Sequence, residues 1–232
     1  MRRKLSLAYK ILVVSSLTTG IVLNVTKTTS VTALLSYYTS QSNIICLVAF
    51  ICFLILEILN KKYKSDMYYL IKGAITIAIF ITAAVYRIAL APGGFEMDHL
   101  QRAVEQKIIA NLFVHTISPI LVILDYFLFD EKGRFAWLYP IFWLVIPLNY
   151  IIYVYTYHAI GGEFFNVGGS KNFAYFFLDY EVLGISGVAK WLIFMTLCVI
   201  AVSYLLVFVD CKLKKKKERS NWKVTSFFMI IN

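Results

Sequence analysis

Apolar residues gather in six stretches along the chain: Leu5–Leu23, Ala33–Leu59, Met67–Leu90, Ile108–Phe129, Trp137–Tyr157 and Val188–Val209. Each is close to the ~20 residues that a helix needs to cross the hydrocarbon of a bilayer. The segments between them are short, with one exception, and show no linker, internal repeat or second domain. The pattern predicts an all-α fold: a polytopic membrane protein, one integral domain over residues 1–232, built as a six-helix bundle with a basic tail over 211–232. Arg2, Arg3 and Lys4 ahead of an apolar run resemble a signal peptide. The run is long and lacks a small-residue cleavage site, so it is read as the first span.

Charge sets the expected orientation. Arg2, Arg3, Lys4, Lys61, Lys62, Lys64, Lys132, Arg134, Lys212, the run Lys214 to Lys217, Arg219 and Lys223 fall on one side. The other side and its edges hold Lys27, Arg87, Arg102, Lys107, Lys171 and Lys190. The positive-inside rule then puts both termini in the cytoplasm. Composition agrees with a lipid solvent: 60% of residues are hydrophobic, 16% are charged, and mean hydropathy is +0.73. A soluble domain of this length has too little polar surface to hide that much apolar area. The net charge of +10 owes much to "KLKKKKER". Anchoring on anionic lipid accounts for it without nucleic acid, and "NWKVTSFFMIIN" beyond it is placed on the inner membrane surface.

Cys46, Cys52 and Cys198 fall in spans and Cys211 at a boundary, with no metal-ligand spacing and no site for an outer disulfide. Two outer segments stand out. In "APGGFEMDHLQRAVEQK" the chain turns at Pro92–Gly94, and Asp98 is placed to cap a helix running into span four. The long "HAIGGEFFNVGGSKNFAYFFLDYEVLGIS" has glycine pairs and many aromatics, which fit either a cover over the outer mouth or an ordinary aromatic belt.

Polar groups inside the spans carry the most information, because lipid cannot satisfy them. Lys10 and Lys72 lie near enough to the inner edge to snorkel, and Arg87 does so at the outer edge. With Glu57 and Asp125 they read as topological or bundle-pairing charges. His115 is too deep to snorkel, about 10–12 Å below the outer end of its span at ~1.5 Å per residue. Pro119, four residues on, cannot donate to the His115 carbonyl, so the helix should bend there. Asn111 shares the face, and Asn111, His115 and Pro119 are expected to point inward.

The start of span two, "SYYTSQSNII", holds five consecutive hydrogen-bonding side chains from Thr39 to Asn43. At about 100° per residue they encircle a helix, so protein must surround the segment. A span beginning near Ala33 would put Thr39 about 9 Å deep, level with His115. The chemistry on offer is a hydroxyl with an imidazole base: Thr39 as nucleophile, His115 as base, and Ser42, Asn43 and Asn111 as polar support or oxyanion donors. Asp125 lies about 15 Å further along its helix and cannot orient the histidine. The bland alternative is that the same groups only bond helix to helix. A haem or metal carrier using His115, His158 and His99 has no ligand spacing in its favour, and a transporter has no repeat or charge relay. No cofactor or metal is expected.

The order "YYTSQSN", "NLFVHTISPILVILDYFLF", "YVYTYHAIGG" and "YFFLDYEVLG" resembles the six-helix membrane family of androgen-induced protein, bacterial branch, across nearly all spans. Animal members of that family are threonine hydrolases of fatty acid esters of hydroxy fatty acids. The resemblance implies a lipid-ester substrate, Thr39 as nucleophile, His115 as the essential histidine, and a bacterial plasma membrane. It matches His158 to a histidine-containing stretch at the outer mouth without assigning a role. "SQSN" after the threonine and Phe176–Phe177 depart from the animal pattern, which leaves the substrate open.

Overall fold

A computed structural model describes residues 2–26, 34–60, 63–90, 109–164 and 172–230, and side chains at all of these except 89–90 and 215–230. Six helices are long and apolar enough to cross a membrane: α1 (Arg2–Val25), α2 (Tyr38–Ile58), α3 (Asp66–Ile88), α4 (Ile109–Phe129), α5 (Tyr139–Ala159) and α6 (Tyr180–Lys214, continuing to Ile230). The six-helix membrane bundle is therefore the architecture. "Inner" below denotes the end that carries the N-terminus. Asp98, His99 and the rest of 91–108 lie outside the described residues, as do Lys27, Ala33 and the glycines at 168–169.

Proline shapes two of the helices. Pro119 offers no N–H to the His115 carbonyl, and the residues before it, Phe113–Ile117, widen into a π-helical turn in which Ser118 N–H bonds back to Phe113. The bend expected at His115 takes this form. In α5, Pro147 likewise leaves the Trp143 carbonyl without its usual donor, and the helix breaks at Leu144 between Tyr139–Trp143 and Val145–Ala159. α6 starts at Tyr180, ahead of the expected Val188, and kinks at Gly184, where φ of 66° demands a residue without a Cβ.

α3 is the most buried of the six, packed against α2, α4, α5 and α6, while α1 closes the bundle against α2 and α4. The α3–α5 contact depends on Gly73. A Cβ there would lie 2.0 and 2.3 Å from atoms of the Trp143 ring, and Trp143 Nε1–H is held to the Leu70 carbonyl at 2.9 Å. The indole cannot retreat without losing that bond. Gly73→Ala is therefore expected to destabilise the bundle by about 1–3 kcal/mol, the usual cost of overpacking, read as a lower unfolding temperature in detergent.

The inner half holds the largest departure from expectation. Lys10 and Lys72 do not snorkel; both are fully buried and turned into the bundle. Lys10 pairs with Glu57 at 3.1 Å and Asp125 at 3.4 Å, and Lys72 pairs with Asp125 at 2.5 Å. Asp130 adds Lys64 at 2.7 Å and Lys72 at 3.8 Å, and accepts from the Tyr68 hydroxyl at 2.7 Å. Three ammonium groups face three carboxylates, which ties α1, α2, α3 and α4 together in one neutral network. Each ammonium meets its carboxylates on another helix or its flanking turn, so periodicity within one helix carries no sign of the pairing.

Asp210 near the inner end of α6 does similar work on a loop. Its carboxylate accepts from the backbone N–H groups of Gly133 at 2.6 Å and Phe135 at 3.0 Å, and from the Tyr126 hydroxyl.

Candidate functional site

The second span does not begin at Ala33. The chain is extended at Tyr37 (φ −101°, ψ 135°) and α2 starts at Tyr38, so Thr39 stands in its first turn. Such a helix start leaves bare N–H groups, and the break exposes carbonyls just before it. The polar run answers the second need, since no side chain caps the N–H groups. Gln41 Nε2 donates to the Leu35 carbonyl at 2.8 Å. Asn43 Nδ2 donates to the carbonyls of Thr39 at 2.8 Å and Val114 at 3.3 Å. The Ser42 hydroxyl lies 2.6 Å from that of Thr82 on α3. Ser36 is fully buried, and its carbonyl accepts from Tyr150 at 2.9 Å. Gln41, Ser42 and Asn43 enter the membrane because, with Ser36, they close a broken helix start against three neighbouring helices.

These contacts also fix relative depth. His115 follows Val114 and sits against the Thr82 backbone, so it lies level with Ser42 and Asn43. Thr39 is one turn above, ~5.4 Å along α2. Among the described residues no hydrogen bond joins the Thr39 hydroxyl to the imidazole. His115 instead stacks on Tyr86, ring centroids 3.8 Å apart and planes within 10°, and its buried Nδ1 has no hydrogen-bond partner among the described residues. Asn43 Oδ1 is a second buried, unpartnered atom at that level. Asn111, shifted by the π turn, is only half-buried, whereas His115 and Pro119 do face inward.

The partner of Thr39 is one that the sequence reading missed. The Tyr175 phenol faces the Thr39 side chain and the backbone of Tyr38 and Thr39, whose N–H groups are the bare start of α2. Burial pushes the Tyr175 phenol up to about 12, so it is neutral at pH 7. Tyr175 belongs to the described part of the outer segment, which does form a cover. Phe173, Ala174, Tyr175, Phe177 and Leu178 are buried. The Asp179 carboxylate accepts from the N–H groups of Asn172, Glu181 and Val182, and Tyr155 donates to the Leu178 carbonyl at 2.9 Å. The signal available was "FLD", an aspartate placed to cap the following helix. His158 stays outside this constellation: its Nε2 is 3.1 Å from the Tyr180 hydroxyl and its ring packs on Phe173.

Beneath the cover lies a cavity of about 70 Å³ between α2, α3, α5 and α6. Thr39, Thr82, Tyr86, Tyr150 and Tyr175 contribute to a wall otherwise dominated by Ile, Leu, Val, Met and Phe. His115 is not on that wall; Tyr86 stands between. The arrangement offers a hydroxyl and two backbone N–H groups converging on one oxygen, the phenol of Tyr175, at the edge of an apolar chamber. Among the described residues no three His, Cys, Asp or Glu side chains converge as a metal centre. Comparison of the chain with protein-family models, with curated proteins and with solved structures gave no match.

Proposed function

We propose that this chain is an intramembrane hydrolase of fatty-acyl esters, with Thr39 as nucleophile and His115 as its base, in a bacterial plasma membrane. The observation that carries the reading is the convergence at Tyr175: the Thr39 hydroxyl and the α2 backbone at Tyr38 and Thr39 all meet its phenol oxygen on the wall of an apolar cavity. An ester carbonyl oxygen that displaced the phenol would receive those N–H groups as an oxyanion hole and bring its carbon beside Thr39. This moves the oxyanion role away from Ser42 and Asn43, whose donors are engaged elsewhere. The resemblance to the androgen-induced protein family supports the same nucleophile and histidine.

The steps balance as an acyl transfer. Thr39 Oγ1 attacks the carbonyl carbon while its proton passes to His115 Nδ1 through one water, for which Nδ1 and Asn43 Oδ1 are free partners. The tetrahedral intermediate collapses to acyl-Thr39, and the leaving alkoxide takes that proton. A second water then attacks the acyl-threonine, giving its proton to His115, and the fatty acid leaves with Thr39 restored.

A second reading is favoured by a specific observation. Thr39 bonds to Tyr175 and His115 stacks on Tyr86, so each has a structural partner and neither needs a reaction to explain its burial. Purified protein treated with a fluorophosphonate probe and a chromogenic fatty-acyl ester separates the two. The hydrolase reading expects labelling and turnover that Thr39→Ala abolishes and Thr39→Ser retains in part. Undiminished labelling in Thr39→Ala, or no turnover by any folded preparation, assigns these groups to bundle packing.

A further inference from the structure

A second cavity of about 310 Å³ opens between α3 and α6, several times larger than the first. Its lining is apolar apart from the Cys198 thiol and the Trp191 indole N–H, with Ile77, Phe80 and Ala84 on one wall and Phe194, Cys198 and Val202 on the other. It shares Ile81, Val85, Phe177, Met195 and Val199 with the chamber that holds Thr39, so the two adjoin across these side chains. From Ile88 to Ile77 it follows α3 for about 16 Å toward the middle of the spanning region. Phe80, Ile88 and Phe194 on its rim are exposed at a depth where the surroundings are hydrocarbon.

We infer that this groove holds one long acyl chain of a membrane lipid, tail toward Ile77 and Val202, carbonyl end at Thr39 and Tyr175. Three observations select that occupant. Apart from the Cys198 thiol and the Trp191 indole the groove's lining has no hydrogen-bonding side chain, so a polar ligand has little to bind. Its mouth faces the acyl phase, where an alkyl chain needs no desolvation to enter. The chamber beside it carries the hydroxyls of Thr39, Tyr150 and Tyr175, so one molecule reaching both spaces has an apolar tail and a hydrogen-bonding head. The head's position rests on the hydrolase reading; the tail's position does not.

A fatty acid carrying a photoreactive diazirine near its tail tests this in nanodiscs, with peptide mapping of wild type, Thr39→Ala and Cys198→Trp. Label is expected on 77–88 and 194–202 in wild type and equally in Thr39→Ala, which lacks the nucleophile. Filling the groove in Cys198→Trp should weaken labelling about tenfold, as loss of a methylene or two of buried contact does. Label spread evenly over lipid-facing Ile193, Leu197 and Leu205, unmoved by Cys198→Trp, overturns the groove, as does a cross-linked dimer joined through α6. Groove labelling without esterase activity keeps the site and removes the enzyme; turnover without groove labelling does the reverse.

Discussion

Asp125→Leu is expected to cost about 3–5 kcal/mol of bundle stability, because it leaves buried ammonium groups short of a counter-charge. In the intact protein Lys10, Lys64 and Lys72 balance Glu57, Asp125 and Asp130, and Asp125 alone touches both fully buried lysines. Without it three cations face two carboxylates. Lys72 keeps Asp130 at 3.8 Å and a place 4.2 Å from the Phe50 ring centroid, neither of which replaces a direct carboxylate. The double variant Lys72→Met with Asp125→Leu should regain most of the loss. It removes one charge of each sign and leaves Lys10 with Glu57 and Lys64 with Asp130. Thermal unfolding in detergent checks both. A double variant no better than the single would mean that packing around Asp125, and not charge balance, sets the stability.

On the proposed hydrolase reading, His115→Phe is expected to lower ester turnover by about 10²–10⁴-fold, the usual share of a general base, at a stability cost no larger than one hydrogen bond, about 1 kcal/mol. Phenylalanine preserves a flat ring against Tyr86, where His115 now stacks at 3.8 Å. It removes the Nδ1 lone pair, which has no hydrogen-bond partner to lose, and the contact with the Thr82 backbone. A change that keeps the ring stack, gives up one backbone contact and removes the base separates catalysis from packing. Turnover within a few-fold of wild type would remove His115 from the reaction and leave Thr39 to another base.

Much of this was legible along the chain. Six apolar stretches specify six crossings because a helix must satisfy every backbone group within the bilayer, and length then decides the span. Pro119 specified a distortion at His115 because a missing N–H is a local fact. The density of hydroxyl and amide groups from Thr39 to Asn43 specified contact with protein for the same kind of reason. Span edges were less legible: hydropathy cannot register the extended residue Tyr37, so apolar length alone puts Thr39 a turn too deep relative to His115.

By itself, then, the sequence determined the membrane class, the number of helices and which polar side chains must turn away from lipid, since those follow from local composition and the cost of desolvation. Only the tertiary structure decided the partners. Lys10 meets Asp125 across 115 positions, and Tyr175 reaches back to Thr39 from the outer cover. Such pairings depend on how helices rotate and stack against one another, and a polar group that needs a partner does not encode which helix supplies it.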